Sequence, residues 1–83
     1  MRYTVVWTPQ ARGHLANLWM AATNRQAVSD AANRIDRALR DDPETKGMPF
    51  GRFFIREDRP LAVLYEIIAA DRLARVLTAK IVT

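Results

Sequence analysis

Leu61-Ala62-Val63-Leu64-Tyr65-Glu66-Ile67-Ile68 is apolar at every position except Glu66. A strand with one wet face alternates apolar and polar residues, so a run of eight that is apolar at almost every position reads as a strand in the middle of a sheet. Two further strand-like runs flank it, Arg52 to Arg56 and Leu73 to Val82. The connections are Glu57-Asp58-Arg59-Pro60 and Ala69-Ala70-Asp71-Arg72. Turn-like tetrapeptides at this spacing, between runs rich in Val, Ile, Leu, Phe and Tyr, predict consecutive hairpins and an antiparallel meander.

The chain upstream has a different period. Tyr3, Val5 and Trp7 alternate with Arg2, Thr4 and Val6, which predicts a first strand. Thr8-Pro9 ends it and starts a helix at once, because Thr caps well and Pro at the first helical position gives up no needed hydrogen bond. Ala11, Leu15, Leu18, Trp19 and Ala22 recur at helical steps over Pro9 to Ala22. Thr23-Asn24-Arg25-Gln26 fits a capping box for a second helix, whose inner stripe is Val28, Ala31, Ile35, Ala38 and Leu39. Asp30 with Arg34 and Asp36 with Arg40 are spaced for helix-supporting i,i+4 pairs on the wet side. Arg40 to Gly51 is dense in Pro, Gly and polar residues and reads as the one long loop. The expected fold class is α+β with the order β-α-α-β-β-β: a helical hairpin packed on one face of a mostly antiparallel four-stranded sheet, forming one domain over residues 1–83. The first strand joins at or near an edge, and the other sheet face, lined in part by Arg and Lys, stays open.

Composition narrows the function. The 83 residues contain no cysteine and a single histidine, His14, so neither a disulfide nor a Cys/His metal site is expected, and His14 reads as a surface residue. No Gly-rich phosphate loop, nucleophile elbow or paired carboxylates are present, and no cofactor is expected. No run is apolar enough to span a membrane and the N-terminus has no signal-peptide core, so a cytoplasmic protein is expected. Net charge is +4, from 13 basic and 9 acidic residues. After Thr45 there are seven basic residues against four acidic, so most of the excess lies with the strands. A basic sheet suits RNA, DNA or an acidic protein partner; solubility alone is the plain alternative.

The ordered set of features resembles the RelE/ParE superfamily of type II toxin-antitoxin toxins. The matching features are the Tyr3-x-Val5-x-Trp7-Thr8-Pro9-x-Ala11 strand-to-helix junction, the Asp42-Pro43-x-x-x-Gly47-x-Pro49 loop, the Val63-Leu64-Tyr65-Glu66-Ile67 strand and the final Arg75-Val76-Leu77 strand. The resemblance implies a growth-inhibiting toxin, of the kind that serves plasmid stabilisation, held inactive by a cognate antitoxin. It also implies a homodimer or a toxin-antitoxin hetero-oligomer. RelE-like members cleave mRNA on the ribosome, ParE-like members poison DNA gyrase and others are degenerate, so the resemblance implies either target or a binding module without toxicity.

Metal-free RNA cleavage needs a base for the 2′-hydroxyl, cations for the phosphorane and an acid for the leaving oxygen. RelE-like nucleases take these from basic residues on the middle strands and at the C-terminal end. Here Ala62 stands where such proteins place Arg in a Tyr-Arg-Val-Ile-Tyr pattern, and Lys80-Ile81-Val82 stands where many have Gly-His-Arg. That vacancy favours gyrase or another non-nucleolytic block over mRNA cleavage. The remaining candidates for a target or nucleic-acid surface are Lys46, Arg52, Arg56, Arg59, Arg75 and Lys80, with Tyr65 either stacking on a base or lying in the core. By strand parity Arg52 and Arg56 share a face, whereas Arg75 and Lys80 point oppositely unless a bulge intervenes. Trp7 and Trp19 read as core, and Phe53 and Phe54 as facing opposite ways. Outside the family, a plain nucleic-acid-binding domain or a small homodimeric scaffold are the rival readings.

Overall fold

The computed structural model describes residues 2–82. Strand β1 (Thr4–Trp7) leads into helix α1 (Pro9–Ala21) and helix α2 (Arg25–Asp41). Strands β2 (Met48–Phe50), β3 (Phe53–Asp58), β4 (Leu61–Ile68) and β5 (Leu73–Ile81) follow. The sheet order is β1-β5-β4-β3-β2, so β4 is the middle strand of five. β2 through β5 form an antiparallel meander, and β1 closes the far edge parallel to β5.

One strand more is present than the sequence reading expects. Met48–Phe50 lies inside the expected loop and pairs with β3, Met48 opposite Ile55 and Phe50 opposite Phe53. Pro49 and the flanking glycines hide it, but an edge strand tolerates a proline whose missing N–H faces outward. Helix α2 also runs on to Asp41, which shortens the connection to Asp42–Gly47.

Local chemistry accounts for the helix starts. Thr8 Oγ1 accepts the Ala11 N–H at 3.1 Å with Pro9 in the first turn. At α2 the cap is Asn24, whose Oδ1 accepts the Ala27 N–H at 3.1 Å. The expected Thr23 box does not form: the helix starts one residue later, so Asn24 caps the Ala27 amide and the Gln26 side chain donates to Asp30 at 2.8 Å. Arg34 likewise leaves Asp30 and reaches across to Asp58 at 2.9 Å, while Asp36 and Arg40 pair as expected at 2.6 Å.

Both helices lie on one side of the sheet. Val28, Ala31, Ile35 and Leu39 of α2 and Ala11 of α1 are buried against Leu61, Val63 and Tyr65 of β4 and Ala74, Val76 and Ala79 of β5. Burying each of the larger aliphatic side chains contributes about 1.5–3 kcal/mol. Trp7 packs on this core as expected and directs its indole N–H toward Asp36 at 3.4 Å. Trp19 does not: it is 40% exposed, its N–H donates to Ser29 Oγ at 3.0 Å and the Arg25 guanidinium sits 4.8 Å from its ring centre. The core needs little bulk from α1, which lies close over β5 through Ala11. His14 is half-buried rather than on the surface, with Nδ1 shielded and unpartnered among the described residues. No described helix is long and apolar enough to cross a membrane.

Tyr65 locks the Asp42–Gly47 connection to the core. Its ring stacks on Phe54 with centroids 5.5 Å apart, and its hydroxyl donates to the Pro43 carbonyl at 2.6 Å. A Cβ at Gly47 would overlap that hydroxyl and lie 2.8 Å from Cζ, so only glycine lets the chain pass. Gly47→Ala is therefore expected to lower stability by about 1–3 kcal/mol, measured by urea unfolding. Tyr65→Phe should cost about 1–3 kcal/mol near neutral pH, because the Pro43 carbonyl loses its partner in the interior. Burial pushes the Tyr65 phenol up to about 12 from 10.0. The raised value stabilises the fold fully below pH 10, and that contribution is lost as pH rises toward 12. The stability gap between wild type and Tyr65→Phe should accordingly narrow across that window.

Candidate functional site

Strand register sorts the sheet into two faces. Leu61, Val63, Tyr65 and Ile67 of β4 sit beside Phe54, Arg56 and Asp58 of β3 under the helices. The alternate residues Ala62, Leu64, Glu66 and Ile68 sit beside Phe53, Ile55 and Glu57 on the uncovered face. On β5 the pairs Tyr65 with Val76 and Leu64 with Thr78 leave Leu77 as an inserted residue. This bulge resets the alternation, so Arg75 opposite Glu66 and Lys80 opposite Ala62 share the uncovered face. Their expected opposition therefore resolves through the bulge.

The uncovered face is mainly apolar, not a field of arginines. Half-buried Ile55, Leu64 and Ile68 form its body, with Val6 exposed on β1 and Met48 and Phe50, 71% and 60% exposed, on β2. Exposed apolar side chains grouped on a face that no helix covers mark a surface suited to a partner. Its charges are few. Arg75 Nε donates to Glu66 Oε2 at 2.6 Å and its terminal nitrogen binds the same oxygen, making a tethered ion pair in apolar surroundings. Lys80 is exposed at one end.

The other sequence candidates lie elsewhere. Arg52 precedes β3 in the turn at Gly51 (φ +62°) and lies 5.1 Å from the Phe53 ring centre, so it does not share a face with Arg56 through strand parity. Arg59 is an exposed turn residue paired with Glu57 at 3.2 Å. Tyr65 is fully buried and presents no ring to a base. Arg56 faces the helix side, where it donates to the Lys46 carbonyl at 3.0 Å and pairs with Asp58 at 3.6 Å. Arg56 and Lys46 there join Arg2, Arg34, Arg37 and Arg40 around a cleft of about 870 Å³. The last four are absent from the sequence candidates. Arg34, Arg37 and Arg40 recur every three residues on α2, the signal that marks them as one row.

Smaller electrostatic features stiffen the connection into β2. Asp42 Oδ2 accepts the Thr45 hydroxyl at 2.7 Å and Oδ1 the Glu44 N–H at 3.2 Å, which holds its carboxyl below the usual range. Tyr3 donates to Glu44 at 3.0 Å, and that bond raises its phenol. Among the described residues no group of three His, Asp or Glu side chains is placed to hold a metal.

No protein-family model matches the sequence, and no curated protein is significantly similar to it. Solved structures are similar. The RelBE2 toxin-antitoxin complex from Mycobacterium tuberculosis contains a chain that superimposes with a TM-score of 0.83 at 20% identity, over 99% of this chain and 93% of that one. The isolated E. coli RelE toxin matches with a TM-score of 0.66 at 12% identity, over 98% of this chain and 85% of its own. TrmO from Pseudomonas aeruginosa matches with a TM-score of 0.66 at 26% identity, over 95% of this chain but 35% of TrmO. The chain therefore has the RelE-like α+β fold, with five strands where the sequence reading expects four.

Adjacent positions on β4 test which face is open. Val63→Asp places a carboxylate under the helices and should cost more than about 3 kcal/mol. Leu64→Asp, one residue on, should cost about 1 kcal/mol or less, because its side chain faces out. Thermal unfolding of the two variants reads the contrast directly.

Proposed function

We propose that this chain is the toxin of a type II toxin-antitoxin module, one toxin domain over residues 1–83. It acts in the cytoplasm and is neutralised by a cognate antitoxin. The single observation that carries this reading is the uncovered apolar sheet face on a RelE-like fold. Covering that face by an amphipathic helix, or by a strand added at β2, is how an antitoxin would remove both its exposure and its activity. The solved chain with TM-score 0.83 comes from a toxin-antitoxin complex, which supports a protein partner of this kind.

For the target, we favour DNA gyrase or another non-nucleolytic block. Ribosome-dependent cleavage of mRNA needs cations around the scissile phosphate. On the uncovered face Ala62 offers a methyl group beside Lys80, and Arg75 is engaged by Glu66. Lys80 and Arg75 are the two basic side chains that the β4–β5 register brings to that face, too few for a strong phosphorane site. Lys46, Arg52, Arg56 and Arg59 surround the sheet without converging on that point.

Induced expression of the chain alone tests the reading. The expected result is growth arrest that co-expression of the neighbouring antitoxin gene relieves, with mRNA intact by primer extension and gyrase–DNA cleavage complexes stabilised. Discrete mRNA cleavage at A-site codons overturns the non-nucleolytic target, and normal growth at high soluble expression overturns the toxin assignment.

A further inference from the structure

We propose that the cleft between α2 and the Asp42–Gly47 connection binds the phosphodiester backbone of single-stranded nucleic acid, without regard to base sequence. It lies on the helix side of the sheet, away from the apolar face, and the proposal does not rest on the toxin reading. The cleft gathers Arg2, Arg34, Arg37, Arg40, Lys46 and Arg56 against the carboxylates of Asp36 and Asp41. With Asp58, which pairs with Arg34 and Arg56, six cations face three carboxylates here, a surplus of three against a chain total of +4, so the rest of the chain is close to neutral.

The pairing pattern distinguishes two groups of cations. Arg34 and Arg56 are held by Asp58, and Arg40 by Asp36, which fixes their guanidinium groups while leaving other N–H donors free. Arg2, Arg37 and Lys46 form no salt bridge among the described residues, and all three are exposed. Along α2 the row Arg34, Arg37, Arg40 advances about 4.5 Å per step, giving a line of charge about 9 Å long. A concave line of like charges attracts a polyanion, and binding releases the counterions condensed on that polymer.

The lining also selects the kind of polyanion. Ala38 is its one apolar member, so an acidic peptide would find no pocket for an anchoring side chain. No aromatic residue lines it, so bases have nothing to stack on and sequence preference is not expected. The site is a recess, and no element projects from it to enter a duplex groove. A flexible single strand, laid with its phosphates inward, meets all three conditions.

Fluorescence anisotropy with labelled oligo(rU) and oligo(dT) of about 12 nucleotides tests this, with a polyglutamate chain of equal charge as competitor. Engagement of about three phosphates predicts that log affinity falls against log salt with a slope near −2. Arg37→Gln should weaken binding about five- to tenfold and flatten the slope by about 0.7. Arg12→Gln, which removes one charge on α1 outside the cleft, should change affinity less than about twofold. Circular dichroism confirms that both variants fold. Binding of both oligonucleotides assigns the shared phosphodiester chain as the ligand, and binding of one narrows the source to that polymer; either result supports the site. Equal losses in the two variants, no salt dependence, or more effective binding by polyglutamate overturns it.

Discussion

The structure depends on burial of the middle strand's inner edge beneath α2. Leu61, Val63 and Tyr65 stand on one side of β4, and Val28, Ile35 and Leu39 meet them from above. At this chain length a small core must supply nearly all the stability, since no cysteine is present to add a cross-link. The core therefore takes every large inward side chain of β4, and both helices are committed to that one side of the sheet. A five-stranded layer covered once is the result, and its second face is available for a partner.

Tyr65 links that core to the loop chemistry. Its hydroxyl satisfies the Pro43 carbonyl, and its ring fills the space that Gly47 leaves empty. The chain then leaves Gly47 directly into β2, so the position of the exposed Met48 and Phe50 follows from a contact in the interior. Arg56 reinforces the same connection by binding the Lys46 carbonyl, which also brings Lys46 toward the row of arginines on α2. The apolar face and the basic cleft are thus positioned by one set of contacts on opposite sides of the sheet.

Much of this was legible from the residues. The almost wholly apolar run of β4 marked the central strand, Thr8-Pro9 marked the start of α1, and the inner stripe of α2 followed helical spacing. What escaped was set by contacts far apart in sequence. β2 takes its pairing from β3, and its proline conceals it. The cap moved from Thr23 to Asn24 because adjacent side chains can each cap the amide three residues on, and the helix starts one residue later. The bulge at Leu77 is a tertiary adjustment without a glycine to announce it, and it put Arg75 and Lys80 on one face. Arg34 and Arg40 are spaced for pairs within α2, which hides their alignment with Arg37, and Arg2 and Arg56 join them only once the sheet forms. The expectation of a basic open face failed for a related reason: charge counted along the strands does not tell which side each residue faces.

One-sided coverage of the sheet is the claim on which the account stands. Methyl NMR with a soluble paramagnetic agent measures it in the free protein. Strong broadening of the Val6, Ile55, Leu64 and Ile68 methyls beside protected signals from Ile35, Leu61, Val63 and Val76 is the predicted result. Equal protection of both sets in the monomer would contradict it.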